Sequence, residues 1–563
     1  MADLDTTLPS TWAARVQVLT NSDLLHAIFS SVPFTRDRDL ARCARVCRPF
    51  HEPVIRVLWR NLDALLPGPL WHLLAPQNTP FPSAYCYGVM IEGYEEVMDY
   101  LEKIHSAQRD LDPTGWDRFL WHARHVRSIQ FHPQIWKPVN DAVRLLVQDL
   151  VERNGGTTVL PCLRSIQWLG KVSEFEDNIL ILFFTPTLRH ASLQFAGSDE
   201  VAVLPILRKL RASSPFMEKI AIDMGFELGP SVVQELLSFS RLDHVRVGKT
   251  GPQGFQSLVT KPNLIFLDVE ELTSPWVGLD SAIPVYDLSY LFLRGDAPLV
   301  SSLLELLHFQ SLKVAKITLD CPEEEQVTST DITTFLARFY DAVHTSCLQT
   351  LQLAFDPGNP TPYARDDEPA LRDLLAPILR IHSLIFFCLE ARGPIARMDD
   401  VDSEAVATAW PELESLSIVQ GMAHGSRVTL SAVHHFYKHC TRLKDLSLSS
   451  FGFPIIGVHE IPAPLDRSLS HPLQYLDIQG HYVLTGRIPS IGPTLSNDGA
   501  EAIARHLLDL FPNLDRRRYG RELYRSSPER RGPPPPFLHY DDRWRRVIGH
   551  IYTIRSSRPE SKP

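Results

Sequence analysis

One short pattern returns along most of this chain: a leucine-like residue, two variable residues, an apolar residue, one variable residue and a third apolar residue. It occurs as VRSIQF from Val126, LRSIQW from Leu163, LRHASL from Leu188, MEKIAI from Met217 and LDHVRV from Leu242. It continues as LIFLDV (Leu264), LSYLFL (Leu288), LKVAKI (Leu312), LQTLQL (Leu348), LIFFCL (Leu384), LESLSI (Leu413), LKDLSL (Leu443) and LQYLDI (Leu473). Successive starts lie 22 to 37 residues apart. The last three positions alternate apolar, variable, apolar, which is the two-residue period of a short strand with one buried face. The leading residue turns inward just before that strand. Some occurrences are degenerate, with small Ala191 and Ala315 at the middle position.

Between the occurrences lie segments with apolar residues at three- and four-residue spacing, such as VAVLPILRKLRASS, DITTFLARFYDAV and TLSAVHHFYKHC. These read as amphipathic helices. The turns before the strands carry Pro, Cys or a small polar residue (LPCL, TPTL, WPEL, CTRL), and Pro suits a corner where a helix must stop. A period in the twenties to thirties opening on this pattern is the signature of a leucine-rich repeat. A single strand–helix unit cannot bury its apolar face alone, so units stack. The expected fold is therefore α/β: a short N-terminal helical module over 15–62, a linker and cap over 63–120, and a solenoid over 121–514. That solenoid is expected as a horseshoe of parallel strands backed by helices. Within 77–120, MIEGYEEVMDYLEKIHSAQRDLD reads as a helix covering the first repeat.

Residues 23–62 hold the tight apolar pairs Leu24-Leu25, Ile28-Phe29, Val46-Cys47 and Leu58-Trp59, with Leu40 and Phe50 between them. About forty residues build a poor core alone. Their succession resembles the F-box family: an L-L-x-x-I-F helix end (Leu24, Leu25, Ile28, Phe29), D-L (Asp39, Leu40), V-C-R with a following aromatic (Val46, Cys47, Arg48, Phe50), and L-W-R (Leu58, Trp59, Arg60). Thr20-Asn21 stand where the family usually has Leu-Pro, and Phe50 where Trp is common; Asn21 or Ser22 can cap the helix instead. The combination is similar to F-box/leucine-rich-repeat proteins of filamentous fungi. The resemblance implies a non-catalytic substrate-recognition subunit of a Skp–cullin–F-box ubiquitin ligase. A Skp-type adaptor, linked to a cullin, would dock on Leu24, Leu25, Ile28, Phe29, Leu40, Val46, Cys47, Phe50, Leu58 and Trp59, and the repeats would hold an unknown protein substrate. The alternative is a repeat scaffold for protein or RNA partners with no link to ubiquitination.

Composition excludes several other classes. With 44% hydrophobic and 22% charged residues the chain is globular. It has no apolar run of bilayer length, and its acidic N-terminus lacks a secretory signal, so an intracellular protein of cytoplasm or nucleus is expected, with no membrane partner. The eight cysteines are dispersed without a C-x-x-C pair, which argues against zinc and disulfides. Net charge is −10, but 515–563 carries thirteen Lys/Arg against six Asp/Glu, which leaves −17 on the first 514 residues. A nucleic-acid partner is therefore not expected for the body. The tail over 515–563 reads as a basic, partly disordered segment in which Pro533–Pro536 forms a stiff spacer before a terminal cap, RWRRVIGHIYTI.

No catalytic, cofactor-binding or metal-binding constellation is expected. VGKTG (Val247–Gly251) lacks the upstream Gly of a phosphate loop, because Asp243 stands there, and reads as a turn. VHHFYKHC places His434, His435, His439 and Cys440 in one helical segment, a spacing that permits a metal but equally a solvated face. Three acidic stretches follow strands: Glu323, Glu324 and Glu325; Asp366 and Asp367; Asp399 and Asp400. They are either solvated loops or one acidic rim that would attract a basic substrate segment.

Overall fold

The computed structural model describes residues 21–31, 37–63, 70, 73–74, 94–109, 113–131, 137–169, 180–195, 200–273, 282–321, 328–357, 369–391, 395–420, 428–449, 471–479, 496–515 and 542–557. The chain divides into two compact units, Met1–Asn263 and Leu264–Pro563.

The first unit opens with helices Ser22–Ser31, Asp37–Ala44 and Arg48–Leu58. Strands β1 (Asn61–Asp63), β2 (Ser128–Phe131), β3 (Ser165–Leu169), β4 (His190–Gln194), β5 (Lys219–Glu227) and β6 (His244–Thr250) then pair in sequence order, every pair parallel. Parallel neighbours need a crossover, and here helices Pro113–Ala123, Lys137–Arg153, Glu200–Ser213 and Pro230–Leu237 lie within the connections. The register of β5 against β6 slips between Ile222 and Glu227. Gly225 sits in that slip at φ 73°, a left-handed conformation that favours glycine, and donates its N–H to Asp223 Oδ1 at 3.0 Å.

In the second unit, β7 (Phe266–Leu272), β9 (Tyr290–Asp296), β11 (Val314–Cys321), β12 (Thr350–Pro357), β13 (Phe386–Ala391), β14 (Ser415–Val419), β15 (Asp445–Ser449) and β16 (Tyr475–Gln479) pair in that order, again all parallel. Strands β8 (Ile283–Val285) and β10 (Leu307–Phe309) form a separate parallel pair. Every occurrence of the sequence pattern lies on one of these strands, and each strand begins at the third pattern position. All thirteen leading residues, Val126 to Leu473, are 0 or 1% exposed. Alternation along each strand then leaves one sheet face open and one apolar, and the connecting helices cover the apolar one. Helix Ala297–Leu306, for example, buries Val300, Leu303 and Leu304 beside β9 and β11.

The polar residues of the turns have a repeated task. In several turns a side chain from the next turn donates to a backbone carbonyl. Thr187 Oγ1 donates to Leu163 O at 2.8 Å and Ser214 Oγ to Thr185 O at 2.8 Å. Ser383 Oγ donates to Leu348 O at 2.6 Å, His471 Nε2 to Cys440 O at 3.0 Å and Asn513 Nδ2 to His471 O at 3.0 Å.

The expected helix over 90–112 is present as Tyr94–Arg109, with Tyr100, Leu101 and Ile104 buried and the helix packed beside Lys137–Arg153. The terminal cap is helix Asp542–Ser557, which buries Trp544, Val547 and Ile551 and packs on helix Asn497–Leu510. Pro533–Pro536 lies outside the described residues. Among the described residues no helix is long and apolar enough to cross a membrane. VGKTG forms the end of β6, with Gly251 as N-cap of helix Pro252–Val259, so it continues a strand where a turn is expected from the sequence.

The alternation sets opposite outcomes for neighbours on one strand. Ile317→Ala, on the buried face of β11, should cost about 2–5 kcal/mol, whereas exposed Lys316→Ala should stay within about 0.5 kcal/mol. Urea titration followed by far-UV circular dichroism checks both.

Candidate functional site

The candidate site is the N-terminal helical module. Asn21 Oδ1 accepts the N–H groups of Asp23 at 3.1 Å and Leu24 at 3.0 Å, satisfying donors that a helix start leaves orphaned. The helix it starts carries two apolar stripes one residue apart, about 100° around its axis, and only one of them is buried. Leu25 and Phe29 point inward, joining Leu40 and Val54 in a small core against which Cys43, Phe50, Val57 and Leu58 pack. The rings of Phe29 and Phe50 meet edge to face at 5.4 Å between centroids. Leu24 is 40% exposed, Ile28 38% and Val46 68%. Cys47 is also exposed and is the N-cap of helix Arg48–Leu58. Of the ten residues singled out in the sequence, Leu24, Ile28, Val46 and Cys47 thus present an outward surface; Leu25, Phe29 and Leu40 are interior; Phe50, Leu58 and Trp59 are half-buried.

The lower end of the module packs on a later helix. Trp59 packs its ring on His122 at 4.5 Å, and His51 stacks on Trp121 at 6.1 Å, so helix Arg48–Leu58 sits on helix Pro113–Ala123. Strand β1 follows at once and pairs with β2, Asn61 opposite Ser128 and Leu62 opposite Ile129. In this register Trp59 takes the place of the leading residue Val126. The L-W-R close of the module thus leads directly into the first rung of the sheet. The signal was present in W-R-N-L, which has the first four pattern positions with Trp in the lead.

Two histidines at this junction are held neutral. Burial, with Arg118 second, lowers the His122 pKa to about 4; burial, with Arg124 second, does the same to His125, also to about 4. On the facing helix, Arg56 donates to Glu52 at 2.7 Å and holds that carboxyl below its usual range.

The acidic rim divides. Glu323, Glu324, Glu325, Asp366 and Asp367 lie outside the described residues. Asp399 is the N-cap of helix Asp400–Ala409 in a reciprocal capping box with Asp402. Asp400 accepts from Thr429 N at 2.7 Å and Thr429 Oγ1 at 2.6 Å, tying its helix to the start of helix Leu430–His439. In the His segment, Cys440 is buried with its thiol directed at the Ala407 and Trp410 carbonyls, and His434 Nε2 faces His506 Nε2 at 2.8 Å. His435 and His439 remain partly exposed on the outer face.

Residues 22–64 match the F-box-like family model, so the helical module and the first rung together form an F-box-like domain. Comparison with curated proteins gives no match.

The neutral histidines make the junction acid-sensitive. Their folded pKa values near 4 lie below the ordinary 6.5, so the unfolded chain binds more protons between those limits. Stability should be complete above about pH 6.5 and fall as pH drops toward 4. His122→Phe keeps a ring on Trp59 and should make that decline shallower by up to one proton, read from urea midpoints across the window.

Proposed function

We propose that this chain is a non-catalytic substrate receptor of a Skp–cullin–F-box ubiquitin ligase. The observation that carries the reading is an F-box-like domain whose outward apolar residues are continuous in backbone with a parallel strand ladder. Leu24, Ile28, Val46 and Cys47 form an apolar surface of the kind a partner desolvates, and a Skp-type adaptor is that partner here. Leu25, Phe29 and Leu40 shape it from beneath. The adaptor would in turn bring a cullin and its ubiquitin-conjugating enzyme.

The strands and their helices are read as a leucine-rich-repeat solenoid, because one buried leading residue and one parallel strand recur with each pattern. The open sheet face is the substrate surface in this reading. In the second unit that face groups Phe266 with Phe292 at 5.1 Å and Tyr290 at 6.2 Å, beside Asp268, Glu270 and Asp296 on the same strands. Rings flanked by carboxylates suit a basic, partly apolar protein segment. The chain contributes proximity between a substrate lysine and the charged ubiquitin carrier, with no bond-making of its own.

The test is co-expression with a Skp-type adaptor and size-exclusion chromatography. A one-to-one complex is expected with the native chain. Ile28→Asp with Val46→Asp should abolish it while circular dichroism stays native, because a carboxylate in a desolvated seam is costly but at an exposed position in the free chain is not. Leu25→Asp should instead unfold the module. A soluble native chain that never co-elutes would sink the receptor reading in favour of a scaffold unlinked to ubiquitination.

A further inference from the structure

The geometry points to a divalent transition-metal site on the outer helices of the second unit, formed by Glu404, His435 and His439. His435 and His439 are four residues apart on helix Leu430–His439 and therefore share one face, one turn apart. Glu404 reaches them from the neighbouring helix Asp400–Ala409, with its Oε1 3.9 Å from His435 Nδ1. One ligand atom from each of the three side chains lies within 4.8 Å of the others.

A tetrahedral zinc ion, with nitrogen and oxygen ligands near 2.1 Å, holds neighbouring donors about 3.4 Å apart. Closing the present triangle needs movements of roughly an ångström, which rotation of an exposed Glu side chain supplies. Backbone motion is not required, because the two helices are already held in register: Asp400 binds both the backbone and the hydroxyl of Thr429 at the head of the partner helix. Two imidazoles and one carboxylate form a borderline donor set that suits zinc-like ions and disfavours calcium or magnesium, which take oxygen. His439 is in the last turn of its helix, where the carbonyl end of the helix dipole favours a cation. The neighbouring His434 does not compete, because it is engaged with His506 on the other side. Three protein ligands leave a fourth position to water, so the ion acts as a clip between adjacent helices.

The sequence shows the His pair but not the site, because Glu404 precedes His435 by a strand and a turn. The test uses the full chain and zinc chloride in isothermal titration calorimetry, with cobalt chloride as a visible-absorption probe of coordination. The expected result is one saturable equivalent and a zinc-dependent rise in thermal midpoint. Both should be lost in the His435→Ala/His439→Ala chain and weakened in Glu404→Gln, while the metal-free melting curves of all three coincide. Absence of saturable uptake, or uptake and stabilisation unchanged in these variants, overturns the site and places any bound zinc on other histidines or cysteines.

Discussion

At most strand entrances one backbone carbonyl accepts two N–H groups from the next strand. The carbonyl of Arg127 takes Arg164 N at 2.7 Å and Ser165 N at 2.9 Å, and the same double acceptance recurs at Arg164, Arg189 and Glu218. In the second unit it recurs from Ile265 to Lys444. The accepting residue is always the second position of the pattern, immediately after the buried leading residue. Burial of the leading side chain orients that carbonyl, the carbonyl fixes where the next strand starts, and the next leading residue is thereby delivered to the interior. A one-residue slip would expose the apolar face of a whole strand, so the register is strongly specified. The first member of the series is Arg60, whose carbonyl accepts Arg127 N and Ser128 N, both at 2.9 Å. Arg60 belongs to the F-box-like domain, so the domain is joined to β2 by the same kind of bond that recurs along the strands.

What the sequence makes legible follows from which features are periodic. A strand with one buried face writes itself at every second residue, and the leading leucine adds a third fixed point, so the thirteen strands that carry the pattern can be read directly, while short β8 and β10, which carry none, cannot. Strand β1 escaped because it is three residues long and has Trp in the leading place. The split of the first helix escaped for a different reason. Leu24 with Ile28, and Leu25 with Phe29, have the same four-residue spacing, and periodicity alone assigns neither stripe to the interior. The choice is made by Leu40 and Val54 on the next two helices, which close over Leu25 and Phe29. The hidden information was tertiary.

Carboxylates show the same limit. Asp399, Asp400 and Asp402 lie within four residues of one another, and charge alone suggests a solvated or substrate-attracting cluster. Each instead meets orphaned helix donors. Asp402, almost fully buried, accepts from Arg372 N at 3.0 Å and Asp399 N at 2.8 Å, and burial pushes its pKa up against the pull of those bonds. Glu200 does the equivalent work in the first unit, accepting from Ser231 N at 3.1 Å and Val232 N at 3.3 Å. A negative group at one helix start thus serves the helix beside it, where the dipole favours it. Glu404, two residues beyond Asp402, is past the first turn and free of this task, which is why it faces the histidines.

The F-box-like domain itself is small, its helical core built on Leu25, Phe29, Leu40 and Val54, and such a core supplies little stability alone. Its second support is internal: Trp59 and His51 rest on the rings of helix Pro113–Ala123, and β1 adds a ladder to β2. Leu24, Ile28 and Val46 remain exposed beside this anchored module. A domain anchored by ring stacking and backbone pairing at one end can keep apolar residues at the other without collapsing onto them. In the proposed receptor this division has a mechanical consequence. The partner-facing end and the sheet share a rigid backbone register in place of a flexible tether, so docking at Leu24, Ile28 and Val46 also fixes the position of the strands that begin at Trp59.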